Sequence, residues 1–101
     1  MALSAGNLLA GLPQSPEANE RVDTLLDRAD FRIERIVSTG QVTSAGEWYD
    51  QAADEWVLLV SGRARLEIEG EGVERELRPG DYVFLPAHCR HRYPVVQQRC
   101  R

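Results

Sequence analysis

Hydrophobic and polar residues alternate along much of this chain with the two-residue period of a β-strand. In segment 63–69 the apolar residues Ala64, Leu66 and Ile68 are separated by arginines and glutamates, which predicts one buried face and one solvated face. In segment 31–38, Phe31 and Ile33 alternate with Arg32 and Glu34 in the same way. Both segments are therefore predicted to be half-buried strands.

Segment 20–28 is less regular, because Leu25 and Leu26 are adjacent and break the alternation. It is compatible with a short helix or with a strand that forms a hairpin with 31–38. We favour the hairpin, since a polar turn at 28–30 separates the two segments.

Three more strands are predicted at 54–61, 73–77 and 82–85. Segment 54–61 is apolar on both faces, which is typical of a strand in the middle of a closed or double-layered sheet. Glycine-containing turns separate the strands at 69–72 and 79–81. About seven or eight short strands with turns at this spacing predict a single all-β domain, a barrel or a sandwich.

The two ends of the chain differ from this centre. Residues 1–19 are predicted to be an N-terminal arm and linker, and residues 20–101 the β-barrel. The small apolar residues of the arm could add an edge strand to their own sheet or to that of a partner. Near the other end, 93–96 predicts one short edge strand, because Pro94 cannot donate a ladder hydrogen bond. An uncovered edge invites pairing between chains, so we expect a homodimer.

Composition narrows the function classes. A net charge of −4 gives no electrostatic support to nucleic-acid binding. No apolar stretch is long enough to cross a membrane as a helix, and residues 1–12 lack the pattern of a secretory signal. The two cysteines are too few for a disulfide framework. We therefore expect a cytoplasmic protein whose partner is a small molecule.

Two spaced motifs carry a family resemblance. Glu55 and Gly62 are separated by six residues, while Gly80 and Pro86 are separated by five, and His91 follows five positions after Pro86. This order and spacing resembles the cupin superfamily, whose motifs are G-x5-H-x-H-x3,4-E-x6-G and G-x5-P-x-G-x2-H-x3-N. The resemblance covers about half the chain and implies a jelly-roll barrel, also called a double-stranded β-helix.

The chain departs from the first motif at both histidines. With a three-residue gap before Glu55 the H-x-H positions fall on Tyr49 and Gln51, and with a four-residue gap on Trp48 and Asp50. In the second motif, His88 stands where the family has glycine. The resemblance implies that cupins hold a metal with the two histidines, the glutamate and the final histidine.

Of that implied ligand set, Glu55 and His91 remain, and Gln51 could add an amide oxygen. These three residues are the candidate site for a divalent metal such as Zn, Fe, Mn or Ni. One neutral amide, one carboxylate and one imidazole form a weak set for such metals, which prefer several imidazoles or thiolates. The alternative is a polar pair of Glu55 and His91 whose hydrogen bonds Tyr49 and Gln51 complete.

Four residues are candidates for the wall of a ligand pocket, namely Trp48, Tyr49, Gln51 and His88. Trp48 could form an aromatic wall at the cavity mouth, of the kind that carbohydrate and aromatic ligands favour, or pack in the core. His88 could approach the mouth or lie in an exposed turn. Arg90 and Arg92 flank His91 and are predicted to point away from it.

Three function classes remain open. The first is a module that binds a small polar or sugar-like ligand in the barrel, with or without a weak metal. The second is a metal-dependent isomerase, oxygenase or lyase, with Glu55 as base, His91 as acid, base or ligand, and Tyr49 as proton donor. The third is an interaction protein that acts through its exposed edges. Whether the chain is an enzyme is left open by the sequence.

Overall fold

A computed structural model describes residues 3–43 and 46–100, with 95–100 described by their backbone. The described residues form strands and loops without a helix, which confirms the all-β prediction, and no helix suited to crossing a membrane occurs among them. The strands are β1 (Arg21–Asp27), β2 (Arg32–Ser38), β3 (Glu55–Leu58), β4 (Ser61–Ile68), β5 (Glu74–Leu77), β6 (Tyr82–Leu85) and β7 (His91–Cys100).

The strands form two antiparallel sheets. Five strands pair in the order β1-β2-β7-β4-β5, while β3 and β6 form a separate two-stranded sheet. Both sheets contribute apolar side chains to one core, so the core lies between them. Its buried members are Val57, Leu59, Ala64, Leu66, Leu77, Leu85 and Tyr93.

The predicted hairpin of 20–28 with 31–38 is confirmed as β1 and β2. Their register shifts between Thr24 and Leu26, so the extra residue is absorbed as a bulge. This bulge explains why two adjacent leucines interrupt the alternation in a segment that is nevertheless a strand.

Segment 54–61 does not lie in the middle of a layered sheet as predicted. Only 55–58 forms β3, which pairs with β6 and with no other strand among the described residues. Its inner residue Val57 is buried, but Trp56 on the outer face is mostly exposed. The segment is apolar on both faces, but the outer face at Trp56 is not buried, so the prediction of burial on both sides was wrong.

The C-terminal prediction is also corrected. Segment 93–96 belongs to the ten-residue strand β7, which lies between β2 and β4 instead of at an edge. Pro94 is tolerated there because the pairing with β4 is interrupted: Arg65 pairs with Val95 and Glu67 pairs with Arg92. Two residues of β7 thus face one residue of β4, and the missing N–H of proline falls in this bulge.

The N-terminal arm forms no strand over its described residues 3–20. Arginines of the hairpin hold it through its main chain. Arg35 Nη1 donates to the carbonyl oxygens of Leu8 (3.1 Å) and Ala10 (2.6 Å), and Arg21 Nη1 donates to that of Gly11 at 2.8 Å. The described part of the arm therefore adds no edge strand to its own sheet and is held by arginine-to-carbonyl contacts.

Candidate functional site

His91 is the first residue of β7 and is 3% exposed. It forms an isolated antiparallel bridge with Tyr49, in which Tyr49 N donates to His91 O at 2.7 Å and His91 N donates to Tyr49 O at 3.1 Å. Directly opposed residues of an antiparallel pair project to the same side. Tyr49 and His91 are consequently brought together on one side of this pair.

The imidazole of His91 is fixed in one orientation by the backbone. Its Nδ1 lies 2.9 Å from the carbonyl oxygen of Cys89. Because a carbonyl oxygen only accepts, Nδ1 must carry the hydrogen, and in the neutral ring Nε2 is then the acceptor. The neutral His91 ring therefore has one defined acceptor atom, Nε2.

Three aromatic rings cluster here, those of Tyr49, His91 and Tyr93. The Tyr49 and His91 centroids are 5.6 Å apart, those of His91 and Tyr93 are 5.9 Å apart at an interplanar angle of 87°, and those of Tyr49 and Tyr93 are 6.4 Å apart. Tyr93 is buried, whereas Tyr49 is 41% exposed. The cluster thus extends from the core to the surface and marks one mouth of the barrel.

A cavity of about 50 Å³ opens beside the two tyrosines. It is lined by Glu20, Gln41, Val42, Thr43, Tyr49 and Tyr93. Glu20 accepts a hydrogen bond from the hydroxyl of Ser38, and Ser38 is fully buried. This volume accommodates a water or two, or one small substituent of a larger molecule.

Glu55 opens β3 and pairs with Leu85. By strand alternation it shares a face with the buried Val57, so its carboxylate is directed to the inner side of the sheet. Within residues 3–43 and 46–100, no hydrogen bond or ion pair joins Glu55 to His91, whose Nδ1 is occupied by the Cys89 carbonyl. The predicted polar pair of these two residues is not formed.

Gln51 contributes its backbone to the structure. Its side chain is exposed, and its carbonyl oxygen accepts from His88 N at 2.7 Å. Two further contacts join the same loops: His88 Nδ1 donates to Asp50 Oδ1 at 2.9 Å, and Ala87 N donates to Asp54 Oδ1 at 2.8 Å. We call these three contacts the loop clasp; they hold the chain after β6 against the chain before β3.

His88 lies at the exposed end of this loop clasp, with φ of 63°. It is the one non-glycine residue with positive φ among the described residues. Side chains with a Cβ seldom adopt this conformation, and glycine adopts it freely. The position at which the family motif has glycine therefore keeps the backbone shape of glycine although a histidine occupies it.

Trp48 lies on the opposite side of its segment from Tyr49. The guanidinium carbon of Arg92 lies 4.4 Å from the Trp48 ring centroid, and that of Arg90 lies 5.9 Å from it. Both arginines also pair with glutamates, Arg92 with Glu67 at 3.0 Å and Arg90 with Glu69 at 2.8 Å. The arginines point away from His91 as predicted, and Trp48 belongs with them on the outer surface instead of the predicted pocket wall.

The residues at the candidate metal position do not fit a resident divalent metal. Of the three predicted ligands, the Gln51 side chain is exposed, which leaves the Glu55 carboxylate and the His91 imidazole. Among the described residues, no group of three or more His, Cys, Asp and Glu side chains is arranged to hold a metal ion. Two protein donors fall short of the three or four that structural and catalytic zinc sites use.

Of the six described residues that line the cavity, Tyr49 alone was predicted from the sequence as a site residue. Tyr93 carried a usable signal, because it is two residues after His91 and therefore on the same face of one strand. Glu20 carried no signal in the sequence, because only the pairing of β2 with β7 in the folded chain brings this end of the hairpin to the cavity.

A family model described as a cupin domain matches residues 35–98. A crystal structure from Ralstonia eutropha JMP134, provisionally assigned as a mannose-6-phosphate isomerase, is 43% identical with a TM-score of 0.92, over 97% of this chain and 92% of that one. A cupin superfamily protein from Desulfitobacterium hafniense DCB-2 is 20% identical with a TM-score of 0.73, over 99% and 87% of the two chains. KdgF from a Halomonas species is 23% identical with a TM-score of 0.68, over 86% and 80%. No curated protein matches the sequence significantly.

Proposed function

Because this chain belongs to the cupin family, with a single-domain cupin β fold, we propose that it binds a small polar or sugar-like ligand at the barrel mouth beside His91. The observation that carries the proposal is the polar cavity beside Tyr49 and Tyr93, whose rings pack around the fixed imidazole of His91. Tyr49 and Tyr93 flank it with ring faces suited to the apolar side of a sugar.

The size of the cavity limits how the ligand binds. About 50 Å³ lies well below the roughly 300–1,000 Å³ of pockets that enclose drug-sized ligands. One hydroxyl-bearing end of the ligand therefore enters between the tyrosines. The remainder lies over the exposed ring of Tyr49.

The charge of the cavity favours a neutral ligand. Glu20 contributes a carboxylate, and no arginine or histidine is among the described residues that line the cavity. The described lining residues thus supply no cationic side chain that would bind a phosphate directly. A ligand hydroxyl, by contrast, can donate to a carboxylate oxygen such as that of Glu20.

The alternative is a metal-dependent cupin enzyme, and the relative from Ralstonia eutropha is the observation that favours it. In that case Glu55 would act as base, His91 as acid, base or ligand, and Tyr49 as proton donor. The two remaining donors are a poor match to a resident metal. For this reason binding is placed ahead of catalysis.

Ligand-observed NMR with D-mannose and mannose 6-phosphate, together with metal analysis of the purified protein, tests the proposal. We expect D-mannose or another neutral monosaccharide of a small panel to bind, His91→Ala to abolish binding, and His88→Asn to retain it. Metal content should be substoichiometric in all three proteins. One equivalent of metal that is lost in His91→Ala, with turnover of mannose 6-phosphate, would establish the enzyme instead.

A further inference from the structure

The outer face of the two-stranded sheet is aromatic and uncovered. Trp56 lies opposite Phe84 and Leu58 lies opposite Tyr82, so the four side chains form one contiguous patch, which we call the aromatic face. The Trp56 and Tyr82 rings stack at 5.6 Å with an interplanar angle of 30°. Trp56 is 58% exposed, Tyr82 67% and Phe84 55%.

The outer face of the five-stranded sheet is built differently. It carries arginines and glutamates joined by ion pairs, such as Arg65 with Glu74 at 3.5 Å and Arg92 with Glu67 at 3.0 Å. Such a surface is typical of a sheet face in contact with water. The four outward positions of β3 and β6 include no charged residue, which is typical of a face that another layer covers.

The area of the aromatic face matches the centre of a protein interface. A large aromatic side chain offers about 150–250 Å², so three that are more than half exposed present roughly 300–400 Å² per copy. Two such faces supply about 600–800 Å² of apolar area. Protein interfaces at the lower end of the standard range bury about 1,200 Å² in total, and somewhat more than half of that area is apolar. The two faces therefore supply about as much apolar area as such an interface contains.

A hollow of about 300 Å³ adjoins the aromatic face at Tyr82. It lies between β5 and β6 and is lined by Arg75, Glu76, Leu77, Gly80, Asp81, Tyr82 and Val83. The hollow has room for an aromatic side chain. Tyr82 belongs to both the ring stack and the hollow, so each copy offers these two parts next to each other, as a self-complementary contact needs.

We propose that the aromatic face is the interface between two copies of this chain, related by a twofold axis. In such an isologous contact the rings of Trp56 and Phe84 pack against the same rings of the second copy. The face lacks charges that would select a different partner by electrostatic complementarity. A second copy needs no such selection, since the face is complementary to itself.

Analytical ultracentrifugation from low to high micromolar concentration tests this proposal. The wild-type protein should sediment as a dimer with twice the 11.4 kDa mass of the chain. Tyr82→Arg and Phe84→Arg should weaken association at least about 30-fold, as the loss of a central contact does. Phe31→Arg is the matched control: Phe31 is 51% exposed but lies in the turn between β1 and β2, so the dimer should persist.

A second measurement leaves the aromatic face intact and does not depend on the folding of the two arginine variants. In a Trp48→Phe background the tryptophan emission reports Trp56 alone, and it should shift to shorter wavelength as concentration rises. A monomer at every concentration would overturn the proposal and would assign the face to a different macromolecule or a flat ligand. A dimer that survives both arginine substitutions, with circular dichroism unchanged, would overturn it as well.

Discussion

The imidazole of His91 is held by the main chain of Cys89, whose carbonyl oxygen lies 2.9 Å from Nδ1. The acceptor belongs to the backbone two residues earlier in the same chain. The orientation of the ring therefore does not depend on which side chain position 89 carries.

This relationship predicts that Cys89→Ala preserves the Nδ1–H form of the neutral His91 ring. The substitution should still cost about 1 kcal/mol of folding free energy, because the Cys89 side chain packs against the core. Nitrogen-15 NMR of the imidazole distinguishes the two tautomers, and urea denaturation gives the stability. A switch to Nε2–H in this variant would contradict the assignment.

The alternation around position 49 predicts opposite results for two neighbouring aromatic residues. Tyr49→Ala should weaken the binding of a neutral monosaccharide at least about tenfold, since its ring lies over the cavity. Trp48→Ala should leave binding within about twofold and lower stability by about 1 kcal/mol, through the lost contact with Arg92. Calorimetric titration and urea denaturation of both variants measure these effects. Equal loss of binding in the two would place Trp48 in the pocket after all.

The left-handed backbone of His88 predicts an order of stability among substitutions. His88→Gly should stay within about 1 kcal/mol of wild type, since glycine relieves the backbone conformation while the bond to Asp50 is lost. His88→Val should be about 1–2 kcal/mol less stable than His88→Gly, because a branched Cβ opposes positive φ. Asp50→Asn controls for the side-chain contact alone. Equal stability of the glycine and valine variants would refute the backbone explanation.

Substitution of Leu66 is expected to have a large effect on the stability of the protein, because this side chain is fully buried between the sheets. Leu66→Ala should lower the free energy of unfolding by about 2–5 kcal/mol, through lost burial and the cavity that remains. Val73→Ala, at an exposed position, should change it by less than about 0.5 kcal/mol. Chemical denaturation of the two variants gives both values. A small effect at Leu66 would mean that the sheets repack around the gap.

The hairpin between β4 and β5 predicts a pH effect with a defined sign. The hydrogen bond from Arg75, at 2.6 Å, lowers the pKa of Glu71 below its ordinary value of 4.5. A lowered folded-state pKa stabilises the protein above the unfolded-state pKa, and this contribution is lost as pH falls through the folded-state value. In Arg75→Gln the Glu71 pKa should rise toward 4.5, as carboxyl NMR titration would report. Arg78→Gln should leave it unchanged.

The strands could be predicted from the sequence because alternation is a local property. Each predicted strand from 31–38 to 82–85 overlaps an observed one, and the bulge at Leu25 explains the least regular segment. The resemblance to the cupin motifs implied that Tyr49 and His91 face one cavity, and the two residues form a bridge in the structure. The strand predictions rest on which residues are near each other along one strand.

The errors concern which strands become neighbours. Pro94 was assigned to an edge because the bulge that tolerates it forms only against β4. Trp48 was assigned to the pocket because the choice between positions 48 and 49 depends on the strand that pairs with them. Glu20 reaches the cavity through contacts between segments far apart in sequence. Long-range pairing of this kind is not encoded in any local pattern.

The arginine contacts to the N-terminal arm have a consequence for how that segment can vary. Arg35 and Arg21 bind carbonyl oxygens, which every amino acid supplies, so the contacts do not depend on the side chains of residues 8 and 10; Gly11, with φ of 66°, is the exception. Residues 8 and 10 can therefore be substituted while the contacts persist, whereas one change at Arg35 would remove two of the three arginine-to-carbonyl contacts together. Side chains in the arm can thus change over evolution while its position is kept, and that position depends on the arginines that bind it.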